Sequence, residues 1–149
     1  MLKDSMKATG KVAIVVKDKD GKIKDSRDIN NLVVSSGLDF IASRMGGTSS
    51  DVMSHMAIGS GTTSAAAGNT DLESILGTRQ AITSTTVTDN TIQYTASFDA
   101  GVGTGAVTEA GIFNASTGGD MLCRTTFGVV NKAVEDSMSI TWTITLSAS

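Results

Sequence analysis

From Met138 to Leu146 the chain alternates strictly: Met138, Ile140, Trp142, Ile144 and Leu146 take one phase, and Ser139, Thr141, Thr143 and Thr145 take the other. Successive side chains of a strand point to opposite faces, so an extended strand with one buried face fits this pattern. A helix would scatter the apolar set around its circumference. Such a strand needs hydrogen-bonded neighbours and a covering layer, and the rest of the chain has to supply both.

The same alternation recurs. Ile92, Tyr94, Ala96 and Phe98 oppose Thr91, Gln93, Thr95 and Ser97, while Val12, Ile14 and Val16 alternate with Ala13 and Val15. Residues 55–58, 82–87, 107–113 and 121–130 read as further strands. Proline is absent and glycine numbers 16, so Gly, Asn, Asp and Ser must make the turns. Asp18-Lys19-Asp20-Gly21, Asp89-Asn90 and Thr117-Gly118-Gly119-Asp120 are the predicted turns. Ser35 or Ser36 is expected to cap a short helix whose face is Leu38, Ile41, Ala42 and Met45, ended by Gly46-Gly47, with 46–50 a flexible link. A second helical turn is expected from Asn69 or Thr70 through Leu72, Ile75 and Leu76. The expected class is therefore all-β: an antiparallel β-sandwich, jelly-roll-like, with one or two short helices. No internal repeat or boundary divides it, so 1–149 is expected to form a single domain, with a polar N-terminal arm and hairpin over 1–30. The expected core is Trp142, Ile140, Ile144, Tyr94, Phe98 and Phe127.

Composition narrows the function classes. Hydrophobic residues are 40% and charged residues 18%, which suits a chain with a core of its own. A net charge of −3 argues against nucleic acid as partner. Lysines do cluster near the N-terminus, Lys3, Lys7 and Lys11 among them, but Asp4, Asp18, Asp20, Asp25 and Asp28 interleave with the basic run. The single cysteine, Cys123, forbids an internal disulfide; its neighbours Leu122 and Phe127 predict a buried, inert thiol and assembly in a reducing compartment. No signal-peptide pattern opens the chain, and no stretch approaches the roughly 18 apolar residues of a membrane span. A soluble protein with no membrane partner is expected.

The residues offer no constellation for catalysis. His55 is the single histidine, and no Gly-x-Ser-x-Gly elbow accompanies it. One His and one Cys far apart do not make a metal site. Asp18, Asp20 and Gly21 start like a calcium loop, but no Glu closes it at the twelfth position. The glycine-rich stretches at 59–61 and 101–105 lack a phosphate-loop lysine or a following helix, and read as loops needing positive φ. Glu109 and Asp99 have nothing to fix them as a carboxylate pair. The expectation is a protein that is no enzyme and holds no cofactor or metal.

The order of local phrases carries more. Asn31-Leu32-Val33-Val34 leads into the helix. Next come Met56-Ala57-Ile58-Gly59-Ser60-Gly61-Thr62-Thr63, a segment from Leu72 to Arg79, and Thr108-Glu109-Ala110-Gly111-Ile112-Phe113. Met121-Leu122-Cys123-Arg124-Thr125-Thr126-Phe127 and Ser139-Ile140-Thr141-Trp142-Thr143-Ile144 complete it. Over roughly residues 30–147 this resembles small virion structural proteins of tailed bacteriophages, and most of all jelly-roll capsid decoration (cement) proteins. The resemblance implies homotrimers on the outer surface of the head, bound to the major capsid protein. Tail, fibre or baseplate proteins are the alternative, and a carbohydrate- or receptor-binding module a further one. Glu109 is expected to pair with Arg124 across the 117–120 hairpin as an exposed pair that fixes register. The Ser/Thr-rich, charge-poor strand faces after Thr78 are expected to meet other copies, and the N-terminal segment, with Lys3, Lys7 and Lys11, to contact the shell.

Overall fold

The structure, a computed structural model, describes residues 5–47 and 51–148. Nine strands and a helix follow in the order β1 (Met6–Lys17), β2 (Ile23–Val33), α1 (Ser35–Met45), β3 (His55–Gly59), β4 (Gln80–Ala81), β5 (Ser84–Thr88), β6 (Thr91–Phe98), β7 (Gly105–Phe113), β8 (Met121–Lys132) and β9 (Ser137–Ala148). All their pairings are antiparallel. They make one curled sheet, ordered β4-β3-β7-β8-β2-β1-β9-β6-β5. The sheet changes layer within β2, whose residues up to Asn31 pair with β1 while Leu32 and Val33 pair with Arg124 and Cys123 of β8. The pairings β1 with β9, β2 with β8 and β3 with β7 are nested, as in a long antiparallel ribbon wrapped on itself. The architecture is all-β with one short helix, as the alternation predicts.

A single apolar cluster fills the space between the layers. Val12, Ile14, Tyr94 and Trp142 enter from one side, and Met56, Ile58, Val107 and Ile112 from the other. The β9 alternation sets the rows: Tyr94, Trp142 and Val12 lie abreast, as do Ala96, Ile140 and Ile14. Trp142, Ile140, Phe98 and Ile144 are fully or almost fully buried, and Tyr94 nearly so. Phe127 is half-buried at the margin of this cluster. The Trp142 indole Nε1 is buried without a hydrogen-bond partner, so packing alone holds the ring.

The helix forms where expected but turns a different face inward. Its buried residues are Gly37 and Phe40, whereas Leu38 and Met45 of the expected stripe are 48% and 81% exposed. Close approach to β8 decides this. A Cβ at Gly37 would stand 2.1 Å from the Leu122 carbonyl oxygen, so only glycine lets the helix lie so near the strand. Val34, not Ser35 or Ser36, is the N-cap, with no side-chain cap bond; the Ser36 hydroxyl instead donates to the Met121 carbonyl. Of the link over 46–50, Gly46 caps the helix, and 48–50 lie outside the described residues.

Three further expectations are corrected. The helical turn over 69–76 is absent, because the backbone N–H groups of Glu73, Ser74 and Leu76 are drawn to Glu109 and Ile58. The strand expected over 82–87 breaks at Ile82–Thr83, where Ile82 N–H donates to Ser54 and Thr83 N–H to Thr95, passing the chain from one layer to the other. The N-terminal arm is not an arm from Met6 onward. Met6 to Lys17 pair with β9 on one side and Gly10 to Lys17 with β2 on the other, which places β1 inside the sheet. Lys3 lies outside the described residues.

Two measurements check this core. Trp142→Ala is expected to lower stability by about 3–5 kcal/mol in denaturant titration, and Thr141→Ala, on the opposite face, by far less. Tyr94 is the only tyrosine; burial, with a smaller contribution from Cys123, pushes its hydroxyl up to about 12. Above its ordinary value of 10.0 an unfolded tyrosine releases its proton while the folded one keeps it. Stability therefore falls as pH climbs through that window. Ultraviolet titration of the folded protein should show no phenolate until the pH nears 12 or the chain unfolds, and a midpoint at the ordinary value would mean an exposed ring.

Candidate functional site

The outer side of the β3–β7–β8 layer is covered by the long loop between β3 and β4. Beneath it lie Glu109 of β7 and Arg124 of β8, 0% and 2% exposed. They are not directly opposed: Glu109 faces Thr126 and Arg124 faces Gly111, so the pair runs diagonally between the strands. Arg124 Nη2 is 3.0 Å from Glu109 Oε1, and Nε donates to the same oxygen at 3.1 Å. The carboxylate accepts three more bonds from backbone N–H groups of the loop, Gly61 and Ser74 on Oε2 and Glu73 on Oε1, each at 2.8 Å. Arg124 reaches on to Asn69 Oδ1 at 3.0 Å, and the Thr108 hydroxyl donates to the Gly61 carbonyl at 2.7 Å.

This corrects the exposed pair expected from sequence. A surface pair is worth under about 1 kcal/mol, whereas removing one partner of a buried pair costs about 3–5 kcal/mol. It also explains the missing helical turn. The N–H groups of Glu73 and Ser74 go to Glu109 instead of to carbonyls one turn back, and Leu76 N–H goes to Ile58 of β3. Gly59 and Gly61 are there for room, not for positive φ: a Cβ on either would come within 2.6 Å or less of Glu109 Oε2 or the Ser74 carbonyl. Leu72 packs from the loop onto Ala57, Phe113 and Met121, a second small apolar cluster. Arg79 closes the far end, its guanidinium 3.6 Å above the Phe113 ring and bonded to the carbonyls of Ala115 and Gly118.

The readings for chemistry place as follows. His55 is half-buried at the start of β3, with Ser54 Oγ 2.8 Å from Nδ1. Asp18 accepts from the N–H groups of Asp20 and Lys22 and so organises a turn. Glu109 is sealed under the loop, while Asp99 is exposed and lends its carbonyl to Lys132. No group of three His, Cys, Asp or Glu side chains that could hold a metal occurs among the described residues. Cys123 is fully buried, and burial pushes its thiol well above the ordinary range, with Asn31 pulling the other way.

One charged cluster was missed. Lys132 is buried, and its ammonium donates to the carbonyls of Asp99 and Asp136. Burial pulls Lys132 below its ordinary value against the charges of Asp136 and Asp99. Lys24, bonded to Asp136, holds that carboxyl below its ordinary range, helped by the Ala133 N–H. The signal was available: Lys132 shares the phase of Val130, so an inward position was legible.

Two open surfaces stand out among the described residues. The first is the outer face of the layer β2-β1-β9-β6-β5. Thr91, Thr145 and Thr9 lie abreast, then Gln93, Thr143 and Lys11, then Thr95, Thr141 and Ala13. A trough of about 480 Å³ crosses it, with Lys11, Asp28, Asn30, Gln93 and Thr143 in its lining. Lys7 and Lys11 are exposed and lie in the same phase of β1. The expectation had divided a lysine arm from the hydroxyl faces; both belong to one face. The second is apolar. A groove of about 330 Å³ runs between α1 and the sheet past Phe40, Ile41, Ile92 and Leu146, and one of about 360 Å³ reaches toward β5 past Val52, Met53, Thr85 and Val87. Comparisons with protein-family models, curated proteins and solved structures find no match.

Glu109→Gln is expected to cost about 3–5 kcal/mol by denaturant titration, because it leaves the Arg124 charge uncompensated. Limited proteolysis should then cut within 60–77 before it cuts any strand. Uniform cutting across the chain would show that the carboxylate does not pin the loop.

Proposed function

We propose that this protein is a structural, self-associating part of a bacteriophage virion: a decoration protein that lies on the outside of the head and ties shell subunits together. The observation that carries the reading is the face formed by β1, β9, β6 and β5. Its β5, β6 and β9 positions are Ser, Thr and Gln without a charge, and its lysines stand along β1. Hydroxyl and amide groups are desolvated at lower cost than charges and can be re-bonded across an interface. Such a face suits broad, dry contact with another protein surface.

The phrase order, which resembles that of phage decoration proteins, supports the same reading. The lysines give it polarity: Lys7 and Lys11 of β1 would meet acidic groups of the major capsid protein, and copies repeated over a shell would add modest contacts through effective concentration. Every aromatic ring of the chain is buried or half-buried, which leaves no stacking platform for a sugar and disfavours the carbohydrate-binding alternative. Assembly would take place in the reducing cytoplasm of the host.

The test is attachment to undecorated heads of the phage that encodes the chain. Lys7→Ala with Lys11→Ala should leave thermal stability unchanged, weaken attachment and flatten its dependence on salt. Attachment equal to wild type would remove the lysines from the contact. Finding the labelled protein on tails and never on heads would overturn the decoration reading in favour of a tail component.

A further inference from the structure

We propose that two copies of this protein join through β5, pairing antiparallel about a two-fold axis at Thr86. This rests on the self-association in the reading above and adds where it occurs. The sheet has two terminal strands, β4 and β5. Unprotected edges invite pairing with another chain, and proteins blunt them by shortness, charge, proline, bulges or cover. β4 is blunted by length, being Gln80–Ala81 alone. Among the described residues β5 has none of the other devices. Ser84-Thr85-Thr86-Val87-Thr88 carries no charge, its register with β6 is unbroken, and all five residues are exposed.

What lies beneath the edge selects the occupant. Thr85 and Val87 oppose Tyr94 and Ile92, which places them on the core side of the strand, yet Val87 is 69% exposed. The layer below β5 is incomplete, and the groove of about 360 Å³ lined by Phe40, Val52 and Val87 takes its place. An occupant must be an extended strand with an apolar residue on that side, and β5 itself meets the description. Pairing about Thr86 sets Val87 of each copy opposite Thr85 of the other, so each valine extends over its partner's groove. Charge allows it, since Asp89 would fall opposite Thr83 and no like charges meet. The contact is small beside the roughly 20–30 residues a side of a standard interface. A weak, reversible dimer is therefore expected in solution, of the kind that gains most when many copies are held on one surface.

Opposed residues of an antiparallel pair have Cα atoms about 4.5–5.5 Å apart, within the span a disulfide bridges. Thr86→Cys in the full chain should therefore form a disulfide-linked dimer under mild oxidation, with the buried Cys123 taking no part. The control is Lys19→Cys in the exposed β1–β2 turn, which should link at least about tenfold more slowly. Adding Val87→Lys should abolish the fast linkage while circular dichroism and melting stay unchanged. Linkage of Thr86→Cys no faster than the control overturns the proposal, as does linkage indifferent to Val87→Lys. A trimer by light scattering with no Thr86 linkage overturns this contact and leaves self-association standing. The measurement uses isolated protein, so failure to decorate heads would sink the functional reading separately.

Discussion

One carboxylate organises half of this molecule. Glu109, fully buried, is the acceptor for three loop N–H groups and for Arg124. Without it the N–H groups of Gly61, Glu73 and Ser74 would lose their bonds under the loop, each at about 1–3 kcal/mol. Replacing the pair with apolar residues would not be neutral, as it is for some buried pairs, because the backbone donors would remain. The loop covers the β3–β7–β8 layer and brings Leu72 onto Phe113 and Met121, so the carboxylate gives that layer its second side.

The same network gathers the local phrases that stand out in the sequence. The phrases around Gly59-Ser60-Gly61, Leu72 to Arg79, Thr108-Glu109-Ala110-Gly111 and Arg124 are far apart in sequence, yet each contributes a piece of one buried assembly. Gly61 supplies room and an N–H, Glu73 and Ser74 supply N–H groups, and Glu109 and Arg124 supply the charges. A set of phrases bound together in this way marks a scaffold more than a binding surface. Any function has to be argued from the faces the scaffold leaves open.

Strands were legible because alternation is a local property: β6 and β9 could be read directly from the alternation of Thr91–Phe98 and of Met138–Leu146. The hairpin at Asp18–Gly21 was legible for the same reason, since turn chemistry is local. What failed was decided at a distance. The helix face depended on how near Gly37 must lie to Leu122, and the turn expected at 69–76 lost its N–H groups to an acid more than thirty residues away. Composition made residues 1–11 look like an arm, but Met6–Lys11 are claimed by β9, whose own alternation says nothing about which strand lies beside it. For the site, the Glu109–Arg124 pairing could be read from the hairpin, but its burial could not, because the loop that covers it has no strand or helix pattern.

The arrangement of charge completes the picture. Most of the charges that the fold uses are buried and bonded: Glu109 with Arg124, and Lys132 with Asp136, which the exposed Lys24 also meets. Charges on the open face are confined to β1 and β2, and the three strands beyond carry hydroxyls and amides out to the bare edge at β5. Charge is one of the ways in which proteins keep an edge strand from pairing. The lysines of the face stand along β1, inside the sheet where no edge needs guarding, and β5 carries none. That distribution leaves a basic stripe on β1 and an uncharged edge strand at β5 within one layer of the sheet.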